Sequence, residues 1–297
     1  MSSFAATPRP AWAEKPRKVT SFGKSLFLVL SVLGVLVPFW AVVATSLSPD
    51  AQVIRNGGWS FWPQHFTLHA YRELFSTGVI GHAIWLSALV TVVGTALSLL
   101  GTATLAYSLS RPGVFAGKPV LLIVLFTFLF PVGIIPSFLL VNSMHLRNQL
   151  WALILPTMLS VFNVVVMRGF FQGIPQELFE AARIDGAGEL RILFRIVLPL
   201  SKAVMAVVGL FYAVGYWNNY FNAMLYIDSS SDWPLQPILR QMVIAGGSLD
   251  PDGTSTTTAP QTMLTALVVM AVVPIAVAFP FLQRFFTKGV LTGAVKS

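Results

Sequence analysis

Between residues 173 and 201 the chain carries Glu177, Glu180, Asp185 and Glu189 against Arg183, Arg191 and Arg195. This polar, charge-balanced insert stands in a sequence that is 55% hydrophobic and only 10% charged. Near-neutral charge with interspersed apolar residues is the chemistry of a protein-docking surface. An amphipathic segment lying on lipid headgroups is usually strongly basic instead. Gly173-Ile174-Pro175 reads as a helix boundary, with Pro175 suited to a first helical position. Glu177 and Glu180 then lie near a positive helix N-terminus. Ala181 and Ala182 let a partner approach closely, and Leu178, Phe179 and Ile184 offer apolar contact. Asp185-Gly186 ends the helix, because glycine accepts the left-handed conformation of a helix terminus. A second helix is expected to present Leu190, Leu193, Phe194 and Val197 on one apolar face, closed by Pro199.

A second constellation is Tyr212, Tyr216, Asn219 and Tyr220. At about 100° per residue these four share one helix face, and Trp217 and Phe221 point roughly opposite. Flat aromatic rings and amides are what a sugar needs: C–H faces stack, and hydroxyls exchange hydrogen bonds. The competing reading puts Trp217, Tyr220 and Tyr226 in an interfacial aromatic belt. Enzyme readings are poor. The chain has no His-Glu-x2-His, no Gly-x-Ser-x-Gly and no Gly-x4-Gly-Lys-Ser/Thr phosphate loop. His65 and His69 sit four apart in a loop and are read as solvated rather than as metal ligands.

These residues need a membrane scaffold. The mean hydropathy is +0.75, and the 10% charged content compares with about 25% in a soluble domain. Six apolar runs, residues 26–46, 83–108, 120–141, 150–169, 203–226 and 263–285, each reach the ~20 residues that cross ~30 Å of hydrocarbon as a helix. The expected fold is all-α and polytopic, with six transmembrane helices. Of the 19 Lys and Arg, only Arg55, Arg72, Arg147 and Arg240 fall in the alternate loops, so both termini are expected in the cytoplasm. The net charge of +8 is thus a topology signal rather than a nucleic-acid footprint. The first run is too long for a signal peptide and reads as an uncleaved span. With no cysteine, disulfide and thiol chemistry are excluded. Residues 1–24 form a tail, 25–289 the permeating domain and 290–297 a second tail, with long loops at 173–201 and 227–260. The run 120–141 holds Pro131, Gly133 and Pro136, so a bend is expected there. Away from span ends, no Asp, Glu, Lys, Arg or His lies inside a run. An ion-coupled secondary transporter, the alternative reading, usually needs such a residue or a broken-helix ion site. Energy would then come from a separate ATPase.

Glu180-Ala181-Ala182, then Gly186, then Ile196-Val197-Leu198-Pro199 resembles the signature loop of permease subunits of ATP-binding-cassette (ABC) importers. In that family the loop docks on the ATPase from the cytoplasmic side. The resemblance implies coupling roles for Glu180, Ala181, Ala182, Arg183, Asp185 and Gly186, with Glu180 and Gly186 at the best-marked positions. The six-run layout, the long 227–260 loop and residues 283–289 resemble the maltose-type second permease of carbohydrate importers. Residues 217–226 and 233–240 are similar to the branch for oligosaccharides of complex polysaccharides, uronate-containing ones included. The resemblance implies a bacterial inner-membrane location and a carbohydrate substrate, for which Tyr212, Tyr216, Asn219 and Tyr220 are the candidate path by their own chemistry. The implied partners are a homologous second permease, two ATPase subunits that bind the ATP, and an extracytoplasmic solute-binding protein. No cofactor or metal of its own is implied.

Overall fold

The computed structural model describes residues 18–244 and 260–293. Among these, all regular structure is helical. Three helices are long and apolar: α1 (Lys18–Ser46), α2 (Val79–Ser110) and, at the far end, a helix over Gln261–Gly293. Their apolar stretches, Phe22–Ser46, Val79–Ser110 and Gln261–Pro280, have hydropathies of 2.7, 2.1 and 2.4 and suffice to cross a bilayer. The short helices Asp50–Arg55 and His69–Ser76 fill the connection after α1.

The other three apolar runs are not continuous helices, which differs from the sequence expectation. α3 (Gly117–Leu129) and α4 (Ile134–Ser143) meet at 117°. α5 (Trp151–Thr157) and α6 (Val161–Gln172) meet at 52°. After α7 (Gln176–Ile184) come α8 (Glu189–Leu200) and α9 (Lys202–Trp217), set at 86°. Each pair is a broken span or a re-entrant turn, so the spans number three, or up to six if each bent pair is one. The α3–α4 break has a local cause. Pro131 disfavours helical geometry at Phe130, which lies at φ −122°, and Gly133 adopts φ +83°. The expected bend is therefore a sharp one of 117°, beyond a right angle. The run 203–226 stops at Trp217 because Asn218 and Asn219 bond their own backbone: Asn218 Nδ2 donates to the Val214 carbonyl and Asn219 Oδ1 accepts from Asn222 N–H. The chain resumes in α10 (Phe221–Tyr226), α11 (Leu235–Ile244) and α12 (Gln261–Gly293).

The core forms around α2. Gly94, Ser98, Thr102 and Ala106 recur every fourth residue, a small-residue stripe that lets α9 approach closely. A Cβ on Gly94 would stand 2.8 Å from the Tyr216 ring. Large apolar side chains on α1 and α3 point outward, such as Phe27 and Leu122, which suits lipid contact. Trp217 is not a belt residue. It is buried, and its Nε1–H donates 2.9 Å to the Ala271 carbonyl, fastening α9 to α12. Tyr226 is also buried and stacks on Phe138 with centroids 6.4 Å apart. Trp217→Ala is accordingly expected to destabilise the fold by about 3–5 kcal/mol, read as a lower unfolding temperature in detergent. An unshifted transition would mean that α9 and α12 are held by other contacts.

Candidate functional site

The first half of the polar insert folds as the helix α7, packed on the bundle by one face. Pro175 sits just before α7, at the N-cap rather than the first helical position. Gly186 ends the helix at φ +75°, and Ala187 N–H closes the turn on the Ala182 carbonyl at 2.9 Å. Inside and outside faces divide by helical spacing. Phe179 and Ala182 are buried against the bundle, whereas Glu177, Leu178, Glu180, Ala181, Arg183 and Asp185 are exposed and Ile184 is 86% exposed. This corrects the expectation that Ala182 and Phe179 face a partner. At i and i+3 they share the inward face. The small residue left on the outer face is Ala181.

Arg183 is also engaged within the chain. Its guanidinium donates to Glu189 Oε1 at 2.8 and 3.2 Å, and the Tyr107 hydroxyl donates to Glu189 Oε2 at 2.5 Å. Arg111, at the end of α2, lies over the Phe179 ring with its guanidinium carbon 3.4 Å from the centroid. The insert is thus strapped to α2, not merely to α6 and α9 that flank it in sequence. The Tyr107 hydrogen bond, then Arg183, hold the Glu189 carboxyl below the usual carboxylate range. A lowered carboxyl favours the strap once it is ionised, so that stabilisation is present above its unfolded pKa and is lost as pH falls through the folded value. Glu189→Gln should remove this acid-side dependence of the unfolding temperature while changing neutral-pH stability by less than about 1 kcal/mol, since the group is half exposed. A variant keeping the wild-type pH profile would show that another carboxylate carries it.

In α8 the expected face does not form. Ile192, Leu193 and Val197 are buried, but Leu190 and Phe194 are exposed by 71% and 50%. The buried arc is centred on Leu193 and Ile196 instead, and a wide π-turn runs over Leu193–Val197, in which Leu198 N–H reaches back to the Leu193 carbonyl. Pro199 has no N–H to offer the Arg195 carbonyl, which favours the widened turn.

The second constellation lines a cavity of about 390 Å³ between α5, α6 and α9. Tyr212, Tyr216 and Asn219 reach it; Tyr220 does not line it. Because α9 ends at Trp217, Tyr220 leaves the shared face, and its ring lies under Arg240 at 4.5 Å. The two tyrosine hydroxyls are used as clamps. Tyr212 shares a 2.6 Å hydrogen bond with Thr102 and accepts one from Ser160 N–H at 2.9 Å. Tyr216 pairs with Ser98 at 2.8 Å and donates to the Ile154 carbonyl at 3.3 Å. What they offer the cavity is ring surface. Asn163, Asn222, Ser160 and Thr157 add neutral polar groups to a lining that also holds Phe162 and Phe211. Asn163 is 4% exposed, and its Oδ1 has no partner among the described residues. An Asn within an apolar run was the available signal for it, and the Gly94–Ala106 stripe was the signal for the clamps.

Residues 99–292 match the family described as the inner membrane component of binding-protein-dependent transport systems. The chain belongs to that family. The permease is 42% identical over 274 residues to the polygalacturonan/rhamnogalacturonan transport system permease protein YtcP of Bacillus subtilis (strain 168), covering 91% of this chain and 96% of that one. It is also 42% identical to protein LplC of the same organism, over 88% of this chain and 89% of that one. Among solved structures it matches a chain of a bacterial ABC transporter involved in import of the acidic polysaccharide alginate, with a TM-score of 0.84 and 27% identity, over 92% of this chain and 99% of that chain. The permease is therefore an all-helical, non-catalytic membrane subunit of an ABC importer.

Elsewhere, Arg147 donates to Asp228 at 2.7 Å and Asn148 Nδ2 donates to the same carboxylate at 2.9 Å. Arg147, then Asn148, hold the Asp228 carboxyl below the usual range. This clamp pins the start of the permease's long 227–260 loop. Residues 245–259 of that loop lie outside the described residues, as do residues 1–17 and 294–297 of the two expected tails. His69 pairs with Glu73 at 3.4 Å.

Proposed function

We propose that the permease forms half of the path for oligosaccharides of acidic polysaccharides, and that α7 is the contact through which separate ATPase subunits drive it. The reading has six spans, two of them the bent pairs α3–α4 and α5–α6 and the fifth starting with α9, with both termini, α7 and α8 in the cytoplasm, as the Lys and Arg distribution favours. One observation carries it: α7 is packed on the bundle by its inner face, with Phe179 under Arg111 at the end of α2, while its outer face is uncovered. Glu180, Ala181 and Ile184 offer a charge, a close-approach point and an apolar plug to an ATPase groove. Asp185 and Gly186 shape the turn behind them, and Arg183 braces it through Glu189. The full assembly would hold this chain, a second homologous permease, two ATPase subunits that bind the ATP, and an extracytoplasmic solute-binding protein. The location is the bacterial inner membrane.

The substrate class follows the named relatives and the cavity chemistry together. Tyr212, Tyr216 and Asn219, joined by Asn163, supply rings and amides suited to a sugar. The cavity lining holds no charged residue. Arg168 and Arg240 do not line it, so a uronate would be read here by its ring and hydroxyls. The test is reconstitution with the cognate ATPase, second permease and binding protein. ATP-dependent uptake of oligogalacturonate over a neutral maltooligosaccharide is expected. Equal uptake of both would overturn the substrate class. Uptake by the chain alone under an ion gradient would overturn the ATP-driven reading.

A further inference from the structure

A second cavity, about 630 Å³, lies at the corner where α2 ends and α3 begins, bounded also by α6 and the start of α7. Arg111, Lys118 and Arg168 line it, with Ser110, Gln172 and Gln176, and its walls hold no Asp or Glu. Among the described residues, none of the three cations is in an ion pair. Arg168 gives its Nε–H to the Leu109 carbonyl at 2.9 Å, and Lys118 is exposed. Arg111 is only 9% exposed, and its Nε has no acceptor although Phe179 covers the face of its guanidinium. Burying a guanidinium donor without an acceptor is costly, and an anion would supply one. Three cations with amide and hydroxyl donors suit an anion with several acceptor oxygens, which a phosphate has.

The depth of the corner indicates where that phosphate comes from. α2 has 32 residues, about 48 Å at 1.5 Å each, against ~30 Å of hydrocarbon. Centred on the bilayer, α2 would overshoot the hydrocarbon by about 9 Å at each end, which would bring its Arg111 end to the headgroup margin. Beside the cavity Phe115 is 97% exposed, and along α3 Leu122 and Ile123 are 66% and 63% exposed. A phosphate in the cavity would have acyl chains along this apolar flank.

We propose that the Arg111–Lys118–Arg168 corner binds the phosphate of an anionic membrane phospholipid. Because Gln176 opens α7, the headgroup would join the corner to the docking helix.

The test is lipid retention by the assembled importer, measured by native mass spectrometry after equilibration with phosphatidylglycerol or phosphatidylcholine, and separately with inorganic phosphate as competitor. Phosphatidylglycerol should be held at least tenfold better than phosphatidylcholine. Lys118→Gln and Arg168→Gln should each weaken that retention roughly tenfold, the loss of one charge-assisted contact. Lys118→Arg should retain it, and Arg191→Gln, outside the cavity, should leave it unchanged. Arg111 is avoided because its loss would also disturb the Phe179 contact. Displacement of the lipid by millimolar inorganic phosphate would assign the corner to a soluble anion and overturn the lipid reading. Equal retention of the two lipids, or wild-type retention in both glutamine variants, would overturn the site.

Discussion

Gly186→Val is expected to cut ATPase retention by the permease roughly five- to thirtyfold while membrane insertion stays normal. Gly186 holds φ +75°, and a Cβ there would meet nothing within 4 Å, so the cost is backbone strain and not a clash. A β-branched residue in that conformation costs about 1–2 kcal/mol or more, which corresponds to that factor. The strain would be relieved by opening the turn that Ala187 N–H closes on the Ala182 carbonyl, tilting the outer face of α7. Gly186→Asn should be much milder, because Asn visits the left-handed region more readily. Co-purification of the ATPase and ATP hydrolysis in proteoliposomes read both variants. Wild-type values for Gly186→Val would remove α7 as the coupling element, and equal damage from Val and Asn would point to side-chain bulk rather than backbone.

Asn163→Leu should separate stability from transport. The Asn163 Oδ1 is buried without a partner, so a similar-sized apolar side chain is expected to leave the unfolding temperature unchanged or raise it. Uptake should nevertheless fall five- to hundredfold, since a hydrogen bond to a passing hydroxyl, worth roughly 1–3 kcal/mol in a buried site, is lost. Tyr216→Phe is the companion. It keeps the ring toward the cavity and gives up the hydroxyl bonds to Ser98 and Ile154, so stability should fall more than uptake. Lower stability with normal uptake in Asn163→Leu would make Asn163 a packing residue and move the sugar path elsewhere.

The signals that proved legible in the sequence were local ones. Pro175 and Gly186 bracket α7 because helix ends are set by the residues at them. Apolar runs gave the membrane elements because length and composition decide what crosses lipid. Angles and faces were less legible. Pro131 and Gly133 announce a break, but 117° depends on what the halves pack against. The α8 face was misread by its centre: Leu190 and Phe194, apolar but exposed, drew it away from the buried Ile192, because apolar type alone does not say what an exposed side chain meets. Tyr220 was misplaced because two asparagines ended α9 before it. The strap through Tyr107 and Glu189 joins positions 82 residues apart, which neither periodicity nor a short motif can connect.

The division of α7 into a held face and a displayed face has an evolutionary consequence. Phe179 and Ala182 answer only to this chain, whereas Leu178, Ala181 and Ile184 answer to whatever meets them from outside. Substitutions on one set leave the other largely undisturbed. A lineage could therefore drift toward a different motor subunit, or converge on one motor shared by several importers, without first having to re-solve how its membrane bundle folds.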